Sequence, residues 1–203
     1  MSEVIVYVFP GMMFMFLFFI TQNAMMEIII ENENHTLHRI LSTTVSVRQF
    51  LISKLLRCFL LGAIVMMTAL VFTSIVFGMK LGNLIYMISV ILACTFSVTG
   101  ILAVVYGISK TKDQANALGT MIIMFCAMMG GSMVNYEALP QFMKLIGRFT
   151  PNRWGILAIQ NVIRSRGFSE LITPMSILFL FGAIGCTIGL LLFIRKFKTF
   201  GTK

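Results

Sequence analysis

Glu31, His35 and His38 stand at i, i+4 and i+7 in the stretch ENENHTLHRILSTTVSVRQFLISK, residues 31–54. On one continuous helix the three would share a face, and a carboxylate with two imidazoles is a ligand set for zinc or another divalent transition metal. The same stretch argues against that use. Asn34 or Thr36 is placed to cap a new helix after Glu31, which takes the carboxylate out of register with both imidazoles. A solvated polar face is expected, and no metal is assigned. Cys58, Cys94, Cys126 and Cys186 lack CxxC spacing and fall in apolar runs, so they read as small buried side chains rather than zinc ligands or disulfides. With only two histidines, no Ser/His/Asp or Cys/His set assembles around a nucleophile. A GxxxxGK[ST] phosphate loop does not occur, so the chain is not expected to bind ATP by that route or to be an enzyme.

The elements that carry these residues are set by composition. The chain is 58% hydrophobic and 11% charged, whereas soluble domains run near a quarter charged. Cys58–Met79, Leu81–Ser109, Gln114–Tyr136 and Leu171–Ile194 contain no Lys, Arg, Asp or Glu, and Pro10–Ile30 contains only Glu27. Each is long enough to cross a hydrocarbon core of about 30 Å as a helix. None alternates with period two, which argues against a membrane β-barrel. The expected fold is all-α: a single transmembrane domain over residues 1–203 with about five spans, near 10–30, 57–79, 82–108, 115–136 and 172–194. So few acids and bases within the spans also argue against an integral membrane enzyme.

Local patterns refine this plan. Pro10 suits the first turn of a helix. Thr21, Gln22 and Asn23 are expected to face other helices, because lipid cannot satisfy them. Glu27 is read as a carboxylate that snorkels to the interface. In residues 31–54, Leu37, Ile40 and Leu41 form the ridge of a short helix, and Ser46 can cap a second helix through Phe50, Leu51 and Leu55. Together they make an amphipathic elbow. In residues 137–170, Phe142, Leu145, Ile146 and Phe149 recur at helical spacing and Thr150-Pro151 breaks the pattern. Asn152 is then placed to cap a helix carrying Trp154, Leu157 and Val162. Both helices are too short to span and are expected in the outer leaflet, with Trp154 at interfacial depth. Gly185 and Gly189 form a GxxxG pair, read as close packing within the chain rather than a dimer seam.

Loop charge orients the chain. With the elbow inside, Arg39, Arg48, Lys54, Arg57, Lys110, Lys112, Arg195, Lys196, Lys198 and Lys203 are cytoplasmic, against six Lys and Arg outside. This asymmetry accounts for the net charge of +9 without nucleic acid. The expected location is the plasma membrane, as in a bacterial inner membrane, with membrane lipid as a partner. An odd span count with the C-terminus inside leaves the N-terminus outside and suggests a further helix upstream.

In this order the features resemble the permease subunit of an ATP-binding cassette transporter of the type-2 exporter family. The resemblance rests on Glu31 and Glu33, Thr36-Leu37, Arg39 and Leu41, Thr43-Thr44-Val45-Ser46 and Lys54. It rests further on Leu139-Pro140, Thr150-Pro151 and Trp154, followed by a last span and a basic tail. His35 stands where the family often has Gly, and Thr44 where it has Pro. The chain matches the second to sixth spans of a six-span family half. The resemblance implies that Glu31, Glu33, Thr36, Leu37, Arg39, Ile40 and Leu41 couple to a separate ABC ATPase subunit, and that Pro140, Pro151 and Trp154 mark the outer segment. It also implies a second permease copy or paralogue. No cofactor is expected in this chain, since ATP and Mg would sit on the ATPase. The cargo would be a drug, antibiotic, lipid or glycan. A non-transporting membrane anchor, assembly or immunity protein is the alternative.

Overall fold

The computed structural model describes residues 2–34, 46–78, 81–134 and 136–200. Among them every regular element is helical: α1 (Ser2–Glu33), α2 (Val47–Phe77), α3 (Leu84–Ile108), α4 (Lys112–Gly130), a 3-10 turn at Tyr136–Ala138, α5 (Gln141–Gly147), α6 (Pro151–Ile163) and α7 (Ser169–Phe200). The protein is an all-α polytopic membrane protein. The ridge Leu37, Ile40 and Leu41, with Thr36, Arg39, His35 and His38, lies outside the described residues.

Short polar side chains start the helices by satisfying backbone N–H groups that have no partner within the helix. Ser46 caps α2 as expected: its hydroxyl accepts the Gln49 N–H at 3.3 Å while Gln49 Oε1 accepts the Ser46 N–H at 3.0 Å. Asn83 caps α3 through Ile85 N–H at 3.0 Å, and Thr111 caps α4 through Gln114 N–H at 3.3 Å. Gly131 stops α4 with φ 89°, a left-handed turn that suits glycine, so the helix ends six residues short of the expected Tyr136.

Among the described residues four helices are long and apolar enough to cross a membrane: Val8–Glu31 within α1, Val47–Phe77, Leu84–Ile108 and Ser169–Lys196 within α7. The expected fifth span, α4, has 19 residues and opens on Lys112, Asp113, Gln114 and Asn116. At 1.5 Å per residue it reaches about 28 Å, close to the hydrocarbon thickness, but its first turns are polar.

Pro10 corrects one expectation, because it lies well inside α1 rather than in its first turn. The hydrogen bond it forfeits is tolerated in a packed membrane helix, where neighbours compensate. Gly11, the next residue, presses on Ser132: a Cβ there would come within 2.8 Å of the Ser132 carbonyl oxygen.

The core is centred on α3, which packs against α1, α2, α4, α6 and α7, most extensively against α7. In its most apolar stretch α3 is 67% buried, against 22% for α2 and 28% for α7, so the outer faces of α2 and α7 are left to the surroundings. The α3–α7 seam is built on glycine. A Cβ on Gly185 would lie 2.6 Å from the Gly100 carbonyl oxygen, and one on Gly189 would lie 2.6 Å from Ala103 Cβ. The GxxxG pair therefore packs within the chain.

Candidate functional site at the α1–α2 end

Three carboxylates line the last two turns of α1, and each is engaged by another helix. Glu27 meets Arg57 of α2 in a two-pronged pair, with Arg57 Nη2 donating to Glu27 Oε1 at 3.0 Å and Nη1 to Oε2. Glu31 accepts from Lys54 Nζ at 2.6 Å. Lys54 also stands 5.5 Å from the centroid of the Phe50 ring. Glu33 Oε1 accepts the backbone N–H of Lys112 at 2.9 Å, the first residue of α4. That end of α4 carries the positive pole of its helix dipole, where a carboxylate is favoured.

The register follows from the fold. Glu27 and Glu31 are one turn apart on α1, and Arg57 and Lys54 are nearly one turn apart on α2 in reverse order, as antiparallel neighbours require. The Glu31–Lys54 pair is the more enclosed, with side chains 27% and 16% exposed, against 41% and 48% for Glu27 and Arg57. A charge at membrane depth is unfavourable unless paired, so pairing at this point is a physical requirement of placing Glu27 there. The carboxylate expected to snorkel to the interface is thus partly exposed and paired with Arg57.

Deeper in the bundle a neutral network joins α1 to α4. Gln22, 3% exposed, donates from Nε2 to Asn116 Oδ1 at 2.9 Å and to Thr120 Oγ1 at 3.2 Å. Gly119 makes room for it, since a Cβ there would sit 3.1 Å from the Gln22 amide and 3.4 Å from the Tyr106 ring. Of the three polar residues expected to face other helices, Gln22 does so, and so does Thr21, whose hydroxyl would lie 3.4 Å from a Cβ on Gly62 of α2. Thr21 is buried but donates to its own helix at Leu17 O, 2.8 Å, and Asn23 is exposed on the chain. At the same end of the molecule, Lys196 Nζ of α7 donates to Ser109 O at the end of α3, 2.5 Å away.

The outer segment departs from its expected form. Thr150 occupies the cap position of α6 and Pro151 its first turn, where a proline's missing N–H is harmless. Asn152 is therefore not the cap. It is fully buried and donates from Nδ2 to Ser132 Oγ at 2.8 Å. α6 buries one face against α1, α3, α4 and α7, with Gly155 seated on the Phe14 ring, rather than resting on the bundle's edge. α5, opened by Pro140, instead leaves Phe142 and Leu145 at 72% and 56% exposure, and Phe149 just after it is 76% exposed, so the described residues do not cover them. Half-buried Trp154 donates from its indole N–H to Arg148 O at 2.7 Å.

Of the residues assigned to ATPase coupling, the described ones are Glu31 and Glu33, and both are held within the chain. The sequence did not reveal Lys54 and Lys112 as their partners, nor Arg57 as the partner of Glu27. One signal was present: an acid inside a span requires a partner, and Arg57 immediately precedes the next apolar run, Cys58–Met79.

The model of the ABC-2 family transporter protein matches residues 2–191. The chain belongs to the ABC-2 transporter family. The linearmycin resistance permease protein LnrN of Bacillus subtilis (strain 168) is similar, 24% identical over 181 residues. That alignment takes in 89% of this chain and 47% of the relative, so the chain spans about half the length of the curated relative it matches. Family and helices together make it a multi-pass membrane protein of that transporter family.

Proposed function

We propose that this chain is the membrane-spanning permease part of an exporter driven by a separate ABC ATPase, with residues 31–46 as the contact. The observation that carries this reading is the match of the family across residues 2–191. The described part of the elbow agrees with it: α1 and α2 converge there, with the connection between two helices anchored to each other by ion pairs. A short apolar ridge, Leu37, Ile40 and Leu41, suits a groove on a partner. ATP and Mg then belong to that partner, and a second permease copy or paralogue completes the pathway. The relative's name ties it to resistance against linearmycin, which favours a drug or antibiotic over a lipid or glycan as cargo.

Co-purification tests this. Each large apolar side chain fully buried in a groove contributes about 1.5–3 kcal/mol. Leu37→Asp and Leu41→Asp should therefore weaken capture of the tagged ATPase by about tenfold or more at unchanged membrane abundance. Arg39→Glu should weaken it less, because a charge at the rim mainly tunes encounter. Full capture by both Asp variants would make the elbow a helix resting on lipid.

A further inference from the structure

Hydroxyls on the membrane helices mostly look after themselves. Thr21, Thr68, Thr73, Thr95 and Thr187 each donate to the carbonyl four residues back on their own helix, a partner that hydrocarbon does not offer. Thr99 of α3 departs from this habit. It is 2% exposed and its Oγ1 has no hydrogen-bond partner. Thr99 also forms part of the wall of a side-opening groove of about 300 Å³ between α2, α3 and α7. The rest of that wall is apolar apart from the Cys186 thiol, and the unpaired Ser97 hydroxyl of the same helix is not part of it. We propose that this groove binds a slender apolar molecule carrying a hydroxyl or carbonyl group, and that Thr99 is the residue that pairs with that group.

The walls of the groove are fixed before anything enters it. Phe96 lies on Gly182 of α7, where a Cβ would come within 2.2 Å of its ring, and Phe179 stacks on it at 5.1 Å between centroids. Phe59 of α2 meets the same ring edge-on at 6.4 Å. A preformed apolar cleft with one polar group is the usual form of a small-molecule site. The α2 wall runs from Ile52 to Phe59, roughly 10 Å along the helix axis, which suits a narrow molecule. Ile52 and Leu56 are half exposed, so entry is from the side, through the hydrocarbon. Depth then selects the occupant. Thr99 stands roughly 14 Å along the axis from the end of α3 at Ile108. A phospholipid carries its oxygens at the surface of a hydrocarbon core about 30 Å thick, so its acyl chain can fill the groove but leaves Thr99 unpaired. An unpaired hydroxyl in an apolar setting is unfavourable, and a solute with its own oxygen at that depth removes the deficit.

Photolabelling of the purified full chain in nanodiscs tests this without any ATPase, so the result stands apart from the permease reading. The probes are an octanol carrying a chain diazirine and its octane counterpart without the hydroxyl, with adducts mapped by mass spectrometry. The octanol should label Ile52, Leu56 or Phe59 saturably and be displaced by excess plain octanol. In wild type the octane probe should label these positions more weakly. Thr99→Val should raise the octanol's half-saturating concentration about twofold to tenfold, the effect of one lost hydrogen bond, while Thr99→Ser leaves it unchanged. The octane probe should not respond to Thr99→Val. Because the chain itself gives the Thr99 hydroxyl no partner, the thermal midpoint of Thr99→Val should be no lower than that of wild type. Octanol labelling that never saturates, or that falls equally on exposed Ile75 and Phe77 of α2, makes the groove an ordinary lipid-filled gap and overturns the proposal. Equal half-saturation for wild type and Thr99→Val, or for the two probes on wild type, removes Thr99 as the anchor. A Thr99→Val protein that is unstable assigns the hydroxyl to packing and contradicts the proposal as well.

Discussion

The α3–α7 seam and the α1–α2 end hold their helices together by opposite means. At the seam the side chains have been removed: Gly100, Gly182, Gly185 and Gly189 let backbone meet backbone, and the helices cannot shift without losing that fit. At the α1–α2 end long charged side chains reach across, so that Glu27, Glu31, Arg57 and Lys54 can follow a modest displacement while staying paired. The first arrangement suits a fixed frame, the second a charged joint between two helix ends. Burial agrees, since of the four long apolar helices α3 is the most enclosed and α2 the least.

The largest effect should come from the seam. Gly185→Leu drives a side chain into the Gly100 backbone, which has no rotamer by which to yield. Overpacking of this kind destabilises by about 1–3 kcal/mol, occasionally more. The thermal midpoint of the purified protein should drop and its monodisperse fraction shrink. A Gly185→Leu protein of wild-type stability would mean that the seam opens easily and is no frame.

A smaller effect is expected at the polar tie between α1 and α4. Gln22→Leu keeps the side chain's approximate size and removes the bonds to Asn116 and Thr120. Interhelical hydrogen bonds in membranes average about 0.6 kcal/mol and reach about 1.7 kcal/mol, so the thermal midpoint should move less than for Gly185→Leu. A drop as large as that of the glycine variant would show that the polar contacts, not the seam, hold the bundle.

The two regions were also unequally legible in the sequence. The glycine seam could be read, because Gly185 and Gly189 lie four apart in an apolar run and close helix approach is what that spacing permits. Ser46 was legible as a cap for the same local reason. Partners across helices were not. Which base meets Glu27 depends on the register of α1 against α2, which no local pattern encodes. The end of α4 was misplaced because hydropathy continues through Gly130-Gly131 to Tyr136, while the backbone turns left-handed at Gly131. Asn152 was misread as a cap because its type fits that role, yet Pro151 shifts the helix start to Thr150 and tertiary packing buries Asn152 against Ser132.

The claim on which the rest depends is that the α1–α2 end faces the cytoplasm, and a labelling experiment tests it directly. Asn34 and Gln141 are exposed and lie at the ends assigned to the inside and the outside. The native Cys58, Cys94 and Cys126 are buried, and half-buried Cys186 lies within the apolar span of α7, so a membrane-impermeant maleimide should find little background. The account predicts that Gln141→Cys is labelled in intact cells and that Asn34→Cys is labelled only after the membrane is opened. Labelling of Asn34→Cys in intact cells, with Gln141→Cys protected, would place the joint on the wrong side for any cytoplasmic ATPase and contradict the account.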